Sequence, residues 1–167
     1  MRAYDYEKQL IDFISSHQIK AKHISFPTSC HTVEEAAKAA NTTPEHLVKN
    51  ICLLDEDARL VVAIVKGEDR VSRKRVGKFL ASIGSHPSDH LPRIATAEEI
   101  LEKAGYPCGG VPSFGFSALF LIDPKVMAEA TIYTGGGSEY SLVKITPAEL
   151  LRFHEENDSG QVVRVRD

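Results

Sequence analysis

The amino-acid sequence predicts an α/β or α+β fold: a single domain over residues 1–167, with a mixed, mainly antiparallel central sheet surrounded by helices. Three observations predict it. Segments with apolar residues at helical spacing are interspersed with short β-branched or alternating runs, without a strict βαβ repeat, an internal period or a linker. Three capping boxes, Thr32-Val-Glu-Glu35, Thr96-Ala-Glu-Glu99 and Thr146-Pro-Ala-Glu149, mark helix starts between those runs. A chain of 167 residues, 43% hydrophobic and 26% charged, can bury about 70% of its unfolded surface in one core.

Taken in order, Tyr6, Leu10, Phe13 and Ile14 share one face of an amphipathic first helix, and Ala21 to Phe26 alternates as a strand. The capping box at Thr32 opens a second helix that runs to about Ala40. Thr43-Pro44-Glu45 starts a short helical turn with proline at the first helical position, ahead of the apolar strand Val48 to Leu54. Asp55-Glu-Asp57 is a turn and Leu60 to Val65 a second apolar run, so the two strands form a hairpin. Ser72 begins a helix whose inward face is Val76, Phe79, Leu80 and Ile83. The helix capped at Thr96 extends through Ala104, and Ala118 to Ile122, Ala130 to Tyr133 and Ser141 to Ile145 read as strands. The helix capped at Thr146 runs to about Glu155, and Asn157-Asp-Ser-Gly160 breaks the chain before a short tail.

Charges interrupt the apolar residues of the first eighteen positions, so no signal-peptide core forms there, and no run reaches the roughly 20 apolar residues of a membrane span. A cytoplasmic protein without a membrane partner is expected. Cys30, Cys52 and Cys108 are odd in number and widely spaced, which fits reduced thiols rather than a disulfide framework or a CxxC motif. The net charge of −3 argues against a protein that coats nucleic acid. Lys66, Arg70, Arg73, Lys74, Arg75 and Lys78 nevertheless cluster against only Glu68 and Asp69, either as a solvated helix face or as a local patch for phosphates.

Seven of the eleven glycines fall in two stretches, Gly105 to Gly115 and Gly135 to Gly137. Glycine permits positive φ and lets bare N–H groups face a ligand, so two such loops at strand ends form either tight turns or the wall of a cleft. Pro112 stiffens the first. Lys49 is a long cation at the start of an apolar strand, where it must snorkel to water or meet an anion. The sequence has no GxxxxGK[ST] loop, GxSxG elbow or HExxH pair. Cys30-His31 with His23 is the nearest group to a metal site, and adjacent residues ligate one ion poorly, so no metal or other cofactor is expected.

Four segments occur together: Leu47-Val-Lys-Asn-Ile51, Gly105-Tyr-Pro-Cys-Gly-Gly-Val-Pro-Ser-Phe-Gly115, Ile132-Tyr-Thr-Gly-Gly-Gly-Ser138 and Ile145-Thr-Pro-Ala-Glu-Leu150. In this order and spacing the sequence resembles the YbaK/ProX family of aminoacyl-tRNA deacylases, related to the editing insertion of bacterial prolyl-tRNA synthetases, over about residues 6 to 153. The resemblance implies a trans-acting hydrolase that cleaves the ester of mischarged tRNA, of the Cys- or Ala-tRNA type, by a metal-free mechanism. Lys49 matches the family's functional lysine, near the terminal adenosine and the ester. Gly109, Gly110, Val111 and Pro112 match the loop whose backbone N–H groups hold the ester carbonyl, with Gly110 the expected donor. Gly135, Gly136, Gly137 and Ser138 match the glycine turn at the pocket rim. Ser113 departs from the family, which commonly has a second proline there.

An aminoacyl ester is already activated, so its hydrolysis needs positioning and oxyanion stabilisation more than a strong nucleophile, and backbone donors supply the second. The expected partner is aminoacyl-tRNA, held through Arg73, Arg75 and Lys78, with transient synthetase contact and a monomeric or homodimeric state. Two other readings stand beside it. One is a module that binds a tRNA end or nucleotide without turning it over, and the other is a hydrolase of a different small activated ester.

Overall fold

The computed structural model describes residues 2–85 and 90–167. Its elements follow the order α1 (Ala3–Ser16), β1 (Ala21–Ser25), α2 (Val33–Ala39), a 3-10 turn (Pro44–His46), β2 (Val48–Leu54), β3 (Leu60–Lys66) and α3 (Arg73–Ser82). Then come β4 (Arg93–Ile94), α4 (Ala97–Ala104), β5 (Leu119–Ile122), α5 (Pro124–Met127), β6 (Ile132–Gly135), β7 (Ser141–Ile145), α6 (Pro147–Glu156) and β8 (Gly160–Val162).

Helix starts form where the sequence places them. Thr32 and Thr96 accept from the N–H groups of Glu35 and Glu99 at 3.0 and 3.2 Å, and both glutamates reach back to complete the box. Thr146 accepts from the N–H of Glu149 at 3.2 Å, but the glutamate carboxylate turns instead to the N–H of Lys20 and to Arg152. Gly105, at φ +78°, ends α4 in the left-handed region. Between β2 and β3 the Asp55 carboxylate accepts from the N–H groups of Asp57 and Arg59 at 2.9 and 2.8 Å, closing the hairpin turn.

The strands are mainly antiparallel and mixed, as expected, and they divide between two sheets. One is antiparallel with order β1-β7-β6; the other has order β4-β2-β3-β5-β8, with β3, β5 and β8 mutually parallel. The period of two sorts the larger sheet. Cys52, Leu54, Val62, Ile64, Phe120 and Ile122 face the main core, where α1, α4 and α6 contribute Leu10, Ile100 and Leu150. Leu53, Val61, Ala63, Val65 and Leu121 face the opposite way, where α3 covers them with Val76 and Leu80.

Four expectations are corrected. Ile83 is the C-cap of α3 and is 48% exposed, so the inward face of that helix ends at Leu80. The strand read over Ala130 to Tyr133 begins and ends two residues later. Lys66 leaves the basic patch: it is 6% exposed, and its ammonium lies 2.6 Å from Glu129 and 3.5 Å from Glu68. Finally, the tail adds an edge strand, β8, where a Cβ on Gly160 would meet the Phe120 carbonyl oxygen at 2.5 Å. Buried Asp123 fastens that tail, accepting from the N–H groups of Val165 and Arg166 and from the Arg166 guanidinium at 2.6 Å. Burial alone would raise its pKa, but these donors and the N–H of Lys125 outweigh burial and hold the carboxyl below its ordinary range.

Candidate functional site

A cavity of about 180 Å³ opens where the two sheets meet. Its wall is formed by Lys49 and Asn50 at the start of β2, Gly109 and Val111 on the first glycine loop, Gly135 at the end of β6, and His31. Val33, Ala36, Leu47 and Leu142 give it an apolar side. A larger cavity of about 550 Å³ lies at the opposite end of the β2–β3 hairpin, against Asp55, Arg59 and Lys103. It gathers none of the candidate catalytic or binding residues, and its guanidinium is already paired with Asp55 at 2.8 Å, so the smaller cavity is the candidate site.

The two glycine stretches pack backbone to backbone. A Cβ on Gly110 would lie 2.6 Å from the Gly137 carbonyl carbon and the Ser138 nitrogen, and one on Gly135 would collide with the Val111 carbonyl. Contacts this short need glycine on both sides. The N–H of Gly137 donates to the Gly110 carbonyl at 2.8 Å, and that carbonyl belongs to the same peptide plane as the N–H of Val111. The plane is trans, so its N–H points away from Gly137. The N–H of Gly110 is engaged internally, donating to the Pro107 carbonyl at 2.9 Å. Gly109 and Val111 both line the cavity, and among the described residues their N–H groups have no acceptor.

Behind this loop sits a hydrogen-bonded ring absent from the sequence reading. Asn50 Nδ2 donates to the Val111 carbonyl at 2.8 Å and to Thr134 Oγ1 at 2.9 Å. Ser113 Oγ lies 2.6 Å from Asn50 Oδ1 and 2.7 Å from Thr134 Oγ1. His154, fully buried, holds the loop from the far side: Nε2 lies 2.8 Å from the Ser113 carbonyl and Nδ1 2.8 Å from Ser159 Oγ. A carbonyl only accepts, so Nε2 carries the proton and Nδ1 accepts from Ser159. Burial pushes the His154 pKa below its usual value and keeps the ring neutral.

Lys49 is half-buried, and its ammonium has no hydrogen-bond or ion-pair partner among the described residues. Gly109 and Gly135 reach the cavity wall with it. Gly110, Pro112, Gly136, Gly137 and Ser138 are buried behind that wall. Ser138 in particular donates to Glu7 at 2.9 Å and accepts from the N–H of Tyr140, so its hydroxyl serves the turn. His23 does not join Cys30 and His31: its Nε2 lies 2.8 Å from the Gly136 carbonyl and 4.0 Å from Glu7. Burial pushes the Cys52 thiol up to about 12, with Cys108 adding to the shift, and burial also raises Cys30. Those two thiols stay protonated at neutral pH. Arg73, Arg75 and Lys78 lie on α3, over the sheet face opposite the main core, and Arg73 Nε donates to the Pro92 carbonyl at 2.7 Å.

Fold and cavity define a small α+β domain whose pocket combines glycine-loop backbone, an unpaired lysine and an apolar side. The chain belongs to the aminoacyl-tRNA editing domain family, whose model matches residues 28–153. It is 25% identical over 134 residues to the uncharacterized protein YwhH of Bacillus subtilis (strain 168), covering 77% of this chain and 78% of that one. It is 26% identical over 105 residues to the proline–tRNA ligase of Thermotoga neapolitana, covering 63% of this chain but 17% of that enzyme. Two solved structures share the fold. A candidate trans-editing enzyme for prolyl tRNA synthetase superposes with TM-score 0.81 at 24% identity over 97% of both chains. Hypothetical protein APE2540 superposes with TM-score 0.80 at 24% identity, over 95% of this chain and 99% of that one. Among the described residues no helix is long and apolar enough to cross a membrane.

Proposed function

We propose that this chain hydrolyses the ester of mischarged aminoacyl-tRNA in trans, with the aminoacyl ester of the terminal adenosine held in the cavity beside Lys49. The observation that carries the reading is the pair of N–H groups on Gly109 and Val111, left without acceptors on the cavity wall beside an unpaired ammonium. In the reaction a water adds to the ester carbonyl carbon and the carbonyl π electrons move onto oxygen. The tetrahedral adduct then collapses by breaking the bond to the ribose oxygen, which takes up a proton, so that free amino acid and uncharged tRNA leave. The N–H of Val111, and with it that of Gly109, faces the developing oxyanion, while Lys49 contributes positive charge near the same atoms. Such donors are already oriented before the substrate arrives, so little reorganisation opposes the reaction. No step needs a protein nucleophile or a metal. The volume of about 180 Å³ and the apolar side of Val33, Ala36, Leu47 and Leu142 favour a small amino acid such as alanine or cysteine.

The test is a deacylation screen against correctly charged and mischarged tRNAs, each rate compared with spontaneous hydrolysis in the same buffer. Acceleration on mischarged tRNAs with small side chains is expected. Binding of the tRNA end with no release of amino acid would leave a binding module instead, and acceleration confined to other small esters would leave a different hydrolase.

A further inference from the structure

We propose that Ser113 and Thr134 are positioning residues: with Asn50 they form a closed ring of hydrogen bonds that sets the direction of the Val111 N–H. This rests on the deacylase reading and names residues of the same site that act without touching substrate.

Proton accounting fixes how the ring is made. The Val111 carbonyl can only accept, so the nitrogen of the Asn50 amide must face it, at 2.8 Å. The second hydrogen on that nitrogen goes to Thr134 Oγ1 at 2.9 Å. Thr134 then turns its one proton to Ser113 Oγ at 2.7 Å, and Ser113 gives its own to Asn50 Oδ1 at 2.6 Å, closing the circuit. Every donor in the ring has an acceptor, and each member polarises the next. Ser113 is fully buried and Thr134 is 1% exposed, so no water can take the place of either hydroxyl without a cavity opening.

The ring acts on the peptide after Val111, whereas the Gly137 N–H holds the peptide before it through the Gly110 carbonyl at 2.8 Å. Val111 precedes Pro112, which confines it to extended conformations but leaves a broad range of ψ. Clamping both flanking planes selects one orientation within that range, and with it the direction of the N–H offered to the cavity. Removing the Ser113 hydroxyl takes the donor from the Asn50 oxygen, and removing the Thr134 hydroxyl takes an acceptor from its nitrogen, so either change releases the amide to turn and the Val111 carbonyl loses a fixed partner. Misaiming a donor by a fraction of an ångström weakens the transition state more than it weakens substrate binding.

The experiment compares Ser113→Ala, Thr134→Val and Thr134→Ser with the wild type, on intact mischarged tRNA and on aminoacylated adenosine. Ser113→Ala and Thr134→Val should lower kcat by about tenfold to a hundredfold with KM within about twofold, equally on both substrates. Thr134→Ser keeps the hydroxyl and should retain the wild-type rate. In Ser113→Ala the Val111 amide cross-peak in a ¹H–¹⁵N spectrum should move, while amides of α3, on the opposite face of the larger sheet, stay in place. Wild-type kcat in Ser113→Ala would overturn the proposal, as would a loss in Thr134→Ser as large as that in Thr134→Val. If the wild type hydrolyses nothing on the panel, the deacylase reading fails by itself. The Val111 cross-peak then still decides whether the ring orients that amide, and an unmoved peak counts against it.

Discussion

The N–H of Gly137 donates to the carbonyl of Gly110, 27 positions earlier, at 2.8 Å, joining the two glycine stretches into one double-walled loop. Gly110 has no room for a Cβ because of the Gly137 stretch, and Gly137 has none because of α1. One on Gly110 would lie 2.6 Å from the Gly137 carbonyl carbon, and one on Gly137, at φ +102°, would lie 2.8 Å from the Tyr6 carbonyl oxygen. The cavity wall therefore depends on residues that do not reach the cavity.

Gly110→Ala tests this dependence. Backbone must move to admit the methyl group, at a cost of about 1–3 kcal/mol, which lowers the thermal midpoint by several degrees. The Val111 N–H is displaced with it, so deacylation should fall by about a hundredfold or more. Thermal melts and single-turnover rates on the purified variant measure the two effects. A fully active Gly110→Ala would mean that the ester carbonyl is held elsewhere.

Lys49 gives the opposite pattern. Its ammonium has no partner within the fold among the described residues, so its removal should leave stability within about 0.5 kcal/mol of wild type. If its charge aids the transition state, Lys49→Ala lowers kcat by about a hundredfold, and Lys49→Arg recovers only part of that because the guanidinium is broader. Unchanged turnover in a folded Lys49→Ala variant would remove the lysine from the mechanism.

Why some of this was legible in the sequence and some was not has a physical basis. Helix starts at Thr32 and Thr96 and the hairpin Val48 to Lys66 are set by neighbouring residues, so local pattern finds them. The extra strand at Gly160–Val162 carries no apolar alternation and is set by pairing with β5 and by the grip of Asp123 on the tail, both distant in sequence. Within the site, glycine clustering pointed to the loops, but the same signal could not separate Gly109, on the wall, from Gly110, behind it. That division depends on which peptide planes are already hydrogen-bonded. The ring of Asn50, Ser113 and Thr134 is composed of ordinary polar residues from three segments. Its only local signals were a buried-strand asparagine beside Lys49 and a serine where the family commonly has proline.

His154 makes stability depend on pH. Its folded pKa is depressed by burial, so the unfolded chain takes up the proton more readily. The stabilisation is complete above the ordinary value of 6.5 and is lost as pH falls from there toward the lower folded value. Glu149, hydrogen-bonded by Arg152 and held at about 2, loses its contribution only once pH falls below the ordinary 4.5, so the two effects separate. Urea midpoints should therefore drop between about pH 6.5 and pH 5, and a folded His154→Gln variant should show less of that drop. A flat profile over this interval in the wild type would contradict a neutral buried imidazole.

The last prediction concerns the grip on the tRNA body. With Lys66 buried against Glu129 and Arg73 bonded to the Pro92 carbonyl, Lys74, Arg75 and Lys78 remain as exposed cations on α3, and Arg75 and Lys78 are the pair expected to meet phosphates. Two phosphate contacts correspond to weak binding that falls about tenfold between roughly 50 and 200 mM salt. The helix lies over the sheet face opposite the main core, held by Val76 and Leu80, so reversing the two charges disturbs neither that packing nor the cavity wall. Arg75→Glu combined with Lys78→Glu should raise KM for aminoacyl-tRNA, flatten the salt dependence and leave kcat close to wild type. Aminoacylated adenosine, which carries no tRNA body, should be hydrolysed by the double variant as fast as by the wild type. Equal losses on both substrates would show that α3 supports the pocket instead, and the phosphate contacts would then have to be sought on another face.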